Sequence, residues 1–268
     1  MRVSYHNHTN FSDGNHSAEE MIQAAQAAGL KEFGVSDHFV VSPGNGYGES
    51  TWTMQRDFLP KYVEKIGQLK KKYNTDHFKV RLGIEVDFFE DNADEVALLL
   101  RDYPFDYWIG AIHYWKKFPI DNSAENWTAL SQNGRDAVWR GYWQKSILMA
   151  RSGLYDFVAH LDLPKKFGFY SSVNNSDLIE ELLLELAKRH TPIEVNTAGM
   201  DKPCQEFYPS VDILTRAIEL GLPILINTDA HAVPQITRHY SEAEALLKKL
   251  HGKKVCSICN HKMQFTEA

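Results

Sequence analysis

The chain has 268 residues, a length that suits one large α/β domain, and its 43% hydrophobic and 24% charged residues exclude a disordered or fibrous protein. Its formal net charge of −6 provides no basic surface for nucleic-acid phosphates, so we expect no nucleic-acid partner. No apolar run approaches the ~20 residues that span a bilayer and the N-terminus lacks the apolar core of a signal peptide, so we expect a cytoplasmic protein without a membrane partner.

Short apolar runs recur along the chain and predict seven β-strands. They cover residues 2–6, 31–36, 79–86, 106–112, 155–159, 191–195 and 222–227. Amphipathic stretches separate these runs, which is typical of parallel strands joined by helices. The pattern predicts a single α/β domain over residues 1–268, folded as a closed barrel with any chemistry at the carboxyl ends of its strands.

The predicted helices begin with a capping box, in which Ser17 and Glu20 precede an alanine-rich stretch that ends at Gly29. Apolar residues at helical spacing predict further helices over residues 58–73, 176–188, 210–220 and 241–250. The long insertion at residues 116–153 predicts a loop over the barrel mouth, followed by a helix at residues 136–150.

The three cysteines are too few for a disulfide framework, which favours a reducing compartment. Cys256 and Cys259, together with His261, resemble half of a zinc site. A structural zinc ion needs four ligands and no second pair follows at a matching spacing, so we interpret these cysteines as small residues of a C-terminal strand.

Residues that can bind metal ions end six of the seven apolar runs. They are His6 and His8, Asp37 and His38, Glu85 and Asp87, His113, His160 and Asp162, and Asp229 and His231. Because side chains alternate along a strand, His6 and His8 project from the same face and can chelate one cation.

A lone histidine at a strand end is more often a structural residue than a ligand, and we interpret His77, His190 and His239 in this way. Here, however, histidines and carboxylates end several strands that meet at one barrel mouth. So many ionisable groups are costly to bury together unless cations compensate their charge. The pattern therefore predicts bound divalent metal ions.

Several of these motifs together resemble the PHP (polymerase and histidinol phosphatase) superfamily. They are His6-x-His8-Thr9, Ser36-Asp37-His38, Gly83-Ile84-Glu85, Gly110-Ala111-Ile112-His113, His160-Leu161-Asp162 and Asp229-Ala230-His231. Residues 12–14, 118–121 and 194–199, followed by Tyr208-Pro209, are similar to the histidinol-phosphate phosphatase branch of that superfamily.

The resemblance implies a distorted (β/α)7 TIM-like barrel, the PHP fold, with three divalent metal ions that are zinc, manganese or iron. By this resemblance the first ion is held by His6, His8, Glu85 and Asp229. Glu85 would bridge to a second ion held by His113 and His160, and the third would be held by Asp13, His38 and His231. His16 is a nearby competitor of Asp13 for the third ion.

The resemblance also implies hydrolysis of a small phosphomonoester, and L-histidinol phosphate, a compound of histidine biosynthesis, is the leading substrate. A hydroxide that bridges the first two ions would attack phosphorus in line. The predicted catalytic residues are Asp229, as general base, and Glu85, as the bridging ligand.

Candidate substrate contacts lie in the loops after the strands. Lys165 and Lys166 follow the fifth strand and either bind phosphate or are solvated, and Arg238 is a further phosphate candidate. Glu194 and Asn196 end the sixth strand, where they either contact the substrate or orient a ligand histidine.

Two other interpretations remain open. One keeps the metal centre but replaces the substrate by another small phosphoester or by a phosphotyrosyl protein. The other is a non-catalytic PHP-type module for structure or binding, although every predicted ligand position holds a residue that can bind a metal ion.

Overall fold

The computed structural model of the chain describes residues 2–43 and 52–265. The strands in this part are β1 (Val3–Ser4), β2 (Glu32–Val35), β3 (His38–Phe39), β4 (Lys79–Asp87), β5 (Tyr107–Ala111), β6 (Tyr114–Trp115), β7 (Phe118–Pro119), β8 (Phe157–Val158), β9 (Ile193–Asn196), β10 (Ile224–Asn227), β11 (Val255–Cys259) and β12 (Lys262–Phe265). The α-helices are α1 (Ala18–Ala27), α2 (Leu59–Tyr73), α3 (Ala93–Leu100), α4 (Ala124–Thr128), α5 (Gln132–Ser152), α6 (Ser176–Arg189), α7 (Val211–Glu219) and α8 (Tyr240–Lys249).

Seven parallel strands form a nearly closed barrel in the order β1-β2-β4-β5-β8-β9-β10. Each of them falls within one of the predicted apolar runs or overlaps it, so the predicted barrel and its seven strands are confirmed. The short strand β3 pairs with the second half of β4 and places His38 opposite Glu85. This pairing brings two of the polar strand ends together at the barrel mouth.

The helices cover the outside of the barrel, as the sequence predicts. The capping box of α1 is present, because Ser17 accepts a hydrogen bond from the Glu20 backbone and the Glu20 side chain accepts one from the Ser17 backbone. Helix α5 begins at Gln132, earlier than predicted, because Ser131 caps it through the backbone nitrogen of Gly134. The insertion before α5 contains the hairpin β6–β7 and the short helix α4 at the barrel mouth.

The hairpin β11–β12 closes the end of the barrel opposite the mouth. Val255 and Ile258 are buried there in one apolar cluster with Tyr5, Tyr107 and Leu225 from the barrel strands. The predicted C-terminal strand is therefore present, and its apolar residues extend the barrel core. None of the helices among residues 2–43 and 52–265 is long and apolar enough to cross a membrane.

Replacing Ile258 by alanine is expected to lower the free energy of unfolding by about 2–4 kcal/mol, because the change leaves a cavity at the closed end of the barrel. Urea denaturation followed by circular dichroism measures this loss. Lys262→Ala, on the exposed side of the same hairpin, is the control and is expected to change stability by less than about 0.5 kcal/mol. Equal small effects of both changes would show that the hairpin does not close the core.

Candidate metal centre

The carboxyl ends of the barrel strands bring the predicted metal ligands to one place. Four overlapping groups of three or four side chains have donor atoms within 4.8 Å of one another. Together these groups contain His6, His8, Asp13, His38, Glu85, His113, His160, Asp229 and His231. Residues from both ends of the sequence therefore share one site.

Glu85 lies at the centre of this cluster, and its side chain is fully buried. Its Oε1 atom lies 3.2 Å from Nε2 of His6 and 3.0 Å from Nε2 of His160. Its Oε2 atom lies 2.6 Å from Nδ1 of His38. One carboxylate thus stands between imidazoles that come from the ends of three different strands.

His8 is completely buried and its ring is stacked between those of His38 and His231, at centroid distances of 4.0 and 4.2 Å. Its Nε2 atom lies 3.1 Å from Oδ1 of Asp229. Burial, followed by repulsion from the two neighbouring rings, lowers the pKa of His8 to about 3. The ring is therefore neutral at pH 7, which is the form that binds a metal ion.

Asp13 borders the outer side of the cluster. Its Oδ1 atom lies 3.3 Å from Nε2 of His231 and 3.7 Å from Nε2 of His38. Burial alone would raise the pKa of Asp13, but the hydrogen bond from His231 and the nearby imidazoles hold it below its ordinary value. His16 accepts a hydrogen bond from the backbone of Val233 and lies outside the groups. The structure therefore brings Asp13, and not its competitor, to the cluster.

Several buried ligand atoms of the cluster lie close to one another, but among the described residues they have no partner in hydrogen-bond geometry. They include Nε2 of His6, both ring nitrogens of His8, Nδ1 of His38, Oε2 of Glu85 and Oδ1 of Asp229. Unpaired buried polar atoms are costly unless a cation satisfies them. Two ligand atoms that share a zinc ion at ~2.1 Å lie about 3.0–3.5 Å apart, close to the spacings within the cluster. The donor set and its geometry therefore fit divalent metal ions.

Further carboxylates behind the cluster orient the ligand histidines. Both carboxylate oxygens of Glu194 lie 3.1 Å from Nδ1 of His6, and Oδ1 of Asp87 lies 2.8 Å from Nδ1 of His113. Burial would lower the pKa of His113, but the charges of Asp87 and Glu85 outweigh it and raise this pKa to about 10. A carboxylate on Nδ1 fixes the tautomer, so that Nε2 faces the metal site.

Asp37 holds the loop that carries Asp13. Its carboxylate accepts hydrogen bonds from the backbone and hydroxyl of Thr9, both at 2.8 Å. It also accepts bonds from the backbone and hydroxyl of Ser12, at 3.2 and 2.6 Å. These bonds fix the path of the chain just before Asp13, so the loop reaches the cluster in a defined conformation.

An open cavity of about 780 Å³ lies over the cluster. Four cationic side chains line it, namely Lys117, Lys166, Lys202 and Arg238. Burial, followed by repulsion from Lys166 and Arg238, lowers the pKa of Lys202. Cations that repel one another across a cavity favour an anion between them.

Lys165 and Lys166 are adjacent in a single 3-10 turn, but only Lys166 lines the cavity. The ammonium group of Lys165 is buried and donates hydrogen bonds to Asp162, Glu206 and the backbone oxygen of Phe207, at 3.0, 2.9 and 2.7 Å. The structure therefore places Lys165 behind the cavity wall, where its ammonium group has three hydrogen-bond acceptors, and its predicted substrate contact stays a prediction.

Glu194 and Asn196 are also buried behind the ligands. The Asn196 amide donates hydrogen bonds to Glu194 at 2.9 Å and to Asp229 at 3.1 Å. Of the two interpretations of these residues, their contacts favour orientation of the ligands, and substrate contact stays an untested prediction. Arg238 borders the cavity, but its guanidinium group donates to the backbone oxygens of Thr228 and Asp229, so it holds the loop that carries Asp229.

The sequence reasoning missed Lys117, Lys202 and Trp52, which also line the cavity. Lys117 lies in the insertion predicted over the mouth, and Lys202 lies just after the sixth strand. A signal for both was therefore available in the rule that loops after barrel strands form the site. Trp52 also lies in the connection after a strand, but nothing in the sequence of that connection singles it out.

Replacing Glu194 by glutamine is expected to weaken zinc binding by roughly 10- to 100-fold, because the neutral amide no longer fixes the ring of His6. Competition with a chromogenic chelator measures the affinity. Glu219→Gln, an equivalent change on the exposed face of helix α7, is the control. Equal zinc affinities of the two variants would rule out an orienting role of Glu194.

Comparisons with known proteins agree with this geometry. Residues 4–198 match the family model described as PHP domain. A protein of Deinococcus radiodurans described as a probable histidinol-phosphatase is 32% identical over 91% of both chains, and the histidinol-phosphatase of Lactococcus lactis is 24% identical over 92% of this chain and 91% of its own. A crystal structure of the Lactococcus lactis enzyme, complexed with zinc, L-histidinol and phosphate, has a TM-score of 0.83 at 23% identity and covers 98% of each chain. The chain belongs to the PHP domain family and, within it, to the branch of the histidinol-phosphatases, which are phosphoric monoester hydrolases.

Proposed function

We propose that this chain is a metal-dependent phosphomonoesterase that hydrolyses L-histidinol phosphate. The observation that carries the proposal is a cationic cavity wall directly beside a cluster of metal-ligand side chains. A phosphate monoester is a dianion, so its hydrolysis needs both charge neutralisation and a nucleophile. The names of the curated relatives and the ligands of the Lactococcus lactis structure support this substrate.

The cluster would hold three divalent ions in the sets that the family resemblance implies. Those sets are His6, His8, Glu85 and Asp229, then Glu85, His113 and His160, and finally Asp13, His38 and His231. Zinc, manganese and iron all suit imidazole and carboxylate ligands, and zinc is present in the Lactococcus lactis structure. When bound, the ions would neutralise the phosphate charge and supply a hydroxide for in-line attack on phosphorus.

Asp229 would accept the proton of the attacking water and later return it to the leaving alkoxide. Its backbone has a φ of 49°, a left-handed conformation that is unfavourable for aspartate. Arg238 supports this conformation by binding the backbone oxygen of Asp229 at 2.7 Å. The Asn196 amide binds Oδ2 at 3.1 Å, and Oδ1 faces the histidines. Asp229 would thus be held in one orientation for proton transfer.

Lys166 and Lys202 would bind the phosphate oxygens that face away from the cluster. Both line the cavity, and their mutual repulsion is relieved when a dianion lies between them. The cavity volume of about 780 Å³ lies in the range that suits a small ligand, which favours a small ester over a phosphotyrosyl protein.

We also propose that residues 1–268 act as one domain. Ser257 of the terminal hairpin donates a hydrogen bond to Glu32 of β2 at 2.7 Å, and Glu32 also binds Arg81 of β4 at 2.7 Å. These buried polar bonds tie the C-terminal hairpin to the barrel strands, in addition to the apolar contacts of Val255 and Ile258.

Protein loaded with zinc or manganese is expected to release phosphate from L-histidinol phosphate at least ~100-fold more efficiently than from sugar phosphates or phosphotyrosine, because the cavity suits one small ester. Phosphate release across this panel measures the ratio. Glu85→Gln is expected to abolish turnover and to reduce the metal content. Glu64→Gln, on the exposed face of helix α2, is the control and should change neither. Activity on another ester alone would refute the proposed substrate.

Replacing Lys202 by methionine is expected to lower kcat/KM by roughly 10- to 100-fold, because a charge-assisted hydrogen bond to the phosphate is lost while the aliphatic stem remains. Steady-state kinetics measure the change. Lys188→Met, at the exposed end of α6, is the matched control. A decrease of less than about twofold in the Lys202 variant would show that Lys202 does not bind phosphate.

A further inference from the structure

Two loops at the barrel mouth carry lysines that line the cavity. The loop after β8 (residues 159–175) contains Lys166, and the loop after β9 (residues 197–210) contains Lys202. Two ammonium groups can bind the oxygens of one phosphate only if their loops hold them at a suitable distance from each other. The separation of the two loops therefore affects the binding of phosphate.

Lys165 joins these two loops from behind the cavity wall. Its side chain is 2% exposed and donates a hydrogen bond to Asp162, in the loop after β8, at 3.0 Å. In the loop after β9 it donates to the carboxylate of Glu206 at 2.9 Å and to the backbone oxygen of Phe207 at 2.7 Å. One ammonium group thus has acceptors in both loops, and their number equals that of its protons.

The carboxylate of Asp162 extends this connection. It is buried, and it also accepts a hydrogen bond from the backbone nitrogen of Ser210 at 2.8 Å, so it too reaches the loop after β9. A backbone bond from Cys204 to Lys166, at 3.3 Å, links the same two loops. Lys165 therefore supplies two of the polar contacts that join the loops, and Asp162 supplies a third.

Stability alone does not explain a charged side chain in this position. A buried ion pair contributes little net stability, because both charges lose their hydration when they are buried. An apolar side chain of similar volume at position 165 would fill the same space without that cost. It would not fix the distance and direction between two loops, as hydrogen bonds from one ammonium group do.

The two cavity lysines also repel each other. Burial, followed by repulsion from Lys166, lowers the pKa of Lys202. This repulsion acts to move the two loops apart as long as no anion lies between the ammonium groups. The bonds that Lys165 makes to Glu206 and Phe207 oppose such a movement.

We propose that Lys165 is a positioning residue, which holds the loops after β8 and β9 at the separation that lets Lys166 and Lys202 bind one phosphate together. The inference rests on the proposed phosphatase function, and it gives Lys165 a role that needs no contact with the substrate. Because Lys165 acts through the two cavity lysines, its loss lowers the affinity for phosphate only while both of them are present.

Two simpler roles of Lys165 predict different results. If Lys165 only stabilises the fold, its loss lowers thermal stability and leaves the phosphate affinity of the folded protein unchanged. If Lys165 only adds positive charge near the cavity, its loss weakens phosphate binding, but loss of the nearby Glu206 charge strengthens it. Positioning predicts that both losses weaken phosphate binding, because each removes part of the same connection.

Lys165→Met removes the charge and keeps the aliphatic stem. In the protein loaded with zinc or manganese, this change is expected to weaken the binding of inorganic phosphate by roughly 10-fold, with unchanged metal content. Calorimetric titration with inorganic phosphate measures the affinity. Lys70→Met is the matched control, because Lys70 donates to the buried carboxylate of Asp106 at 2.6 Å beside the hairpin β11–β12. It should change the affinity by less than about twofold.

Glu206→Ala provides a second variant, since the Glu206 side chain is 44% exposed and its removal leaves no buried charge without a partner. It is expected to weaken phosphate binding by about 3-fold, because Lys165 then keeps one of its two acceptors in the loop after β9. Unchanged or tighter phosphate binding by Glu206→Ala would refute the positioning role, also where Lys165→Met does not fold.

The double variant of Lys165→Met and Lys202→Met tests whether Lys165 acts through Lys202. It is expected to bind phosphate no more than about 3-fold more weakly than Lys202→Met alone, because the separation of the two ammonium groups no longer matters once one is absent. Fully additive losses would refute the positioning role and leave the phosphatase function, which turnover of L-histidinol phosphate by the wild type tests separately. If the metal-loaded wild type hydrolyses no phosphate ester, the proposed function fails and the inference fails with it.

Discussion

A single buried carboxylate constrains the rest of the structure. Glu85 is fully buried, and its two oxygens lie within 3.7 Å of imidazole nitrogens from His6, His8, His38, His113 and His160. A charge removed from water in this way is stable only if cations or hydrogen-bond donors surround it. The five imidazoles must therefore converge on Glu85, and the strands that carry them must end at the same height around it. At the barrel mouth the carboxyl ends of these strands do meet around Glu85.

The same constraint explains the carboxylates behind the ligands. Glu194 and Asp87 provide an acceptor on Nδ1 for His6 and His113, which leaves Nε2 of each ring to face a cation. Glu194 also accepts hydrogen bonds from the side chains of Asn196 and Asn227, at 2.9 and 2.8 Å. The orienting carboxylate is thereby itself fixed. Several buried polar side chains of the barrel thus hold a few imidazole nitrogens in position.

The strands and the candidate metal ligands at the barrel mouth were predicted from the sequence. This was possible because the alternation of side chains and the ends of strands are local features of the chain. The sequence did not separate Lys165 from Lys166, since their directions are decided by Asp162 and Glu206, and Glu206 is 41 residues away from Lys165. Trp52 and Lys202 reach the cavity through loops whose paths depend on tertiary contacts. Ligand candidates at strand ends were therefore predictable, whereas the direction of a side chain within a loop depends on contacts with residues far away in the sequence.

The first and last strands of the barrel meet beside the ligands His6, His8 and Asp229. Among the described residues β1 and β10 form no ladder, and the gap between them is spanned by the Asn227 side chain, which accepts a hydrogen bond from the backbone of Tyr5 at 2.8 Å. Nearer the mouth, the backbone of His8 donates to that of Ala230 at 2.8 Å. The segments on either side of this gap carry the ligands His6, His8 and Asp229. At the ligands themselves the two backbones are joined by one parallel bridge between Asn7 and Ala230, and the Asp229 carboxylate turns toward the two histidines from a backbone with a φ of 49°. One side-chain bond and one isolated bridge are therefore enough to hold the first and last ligands of the sequence in one site.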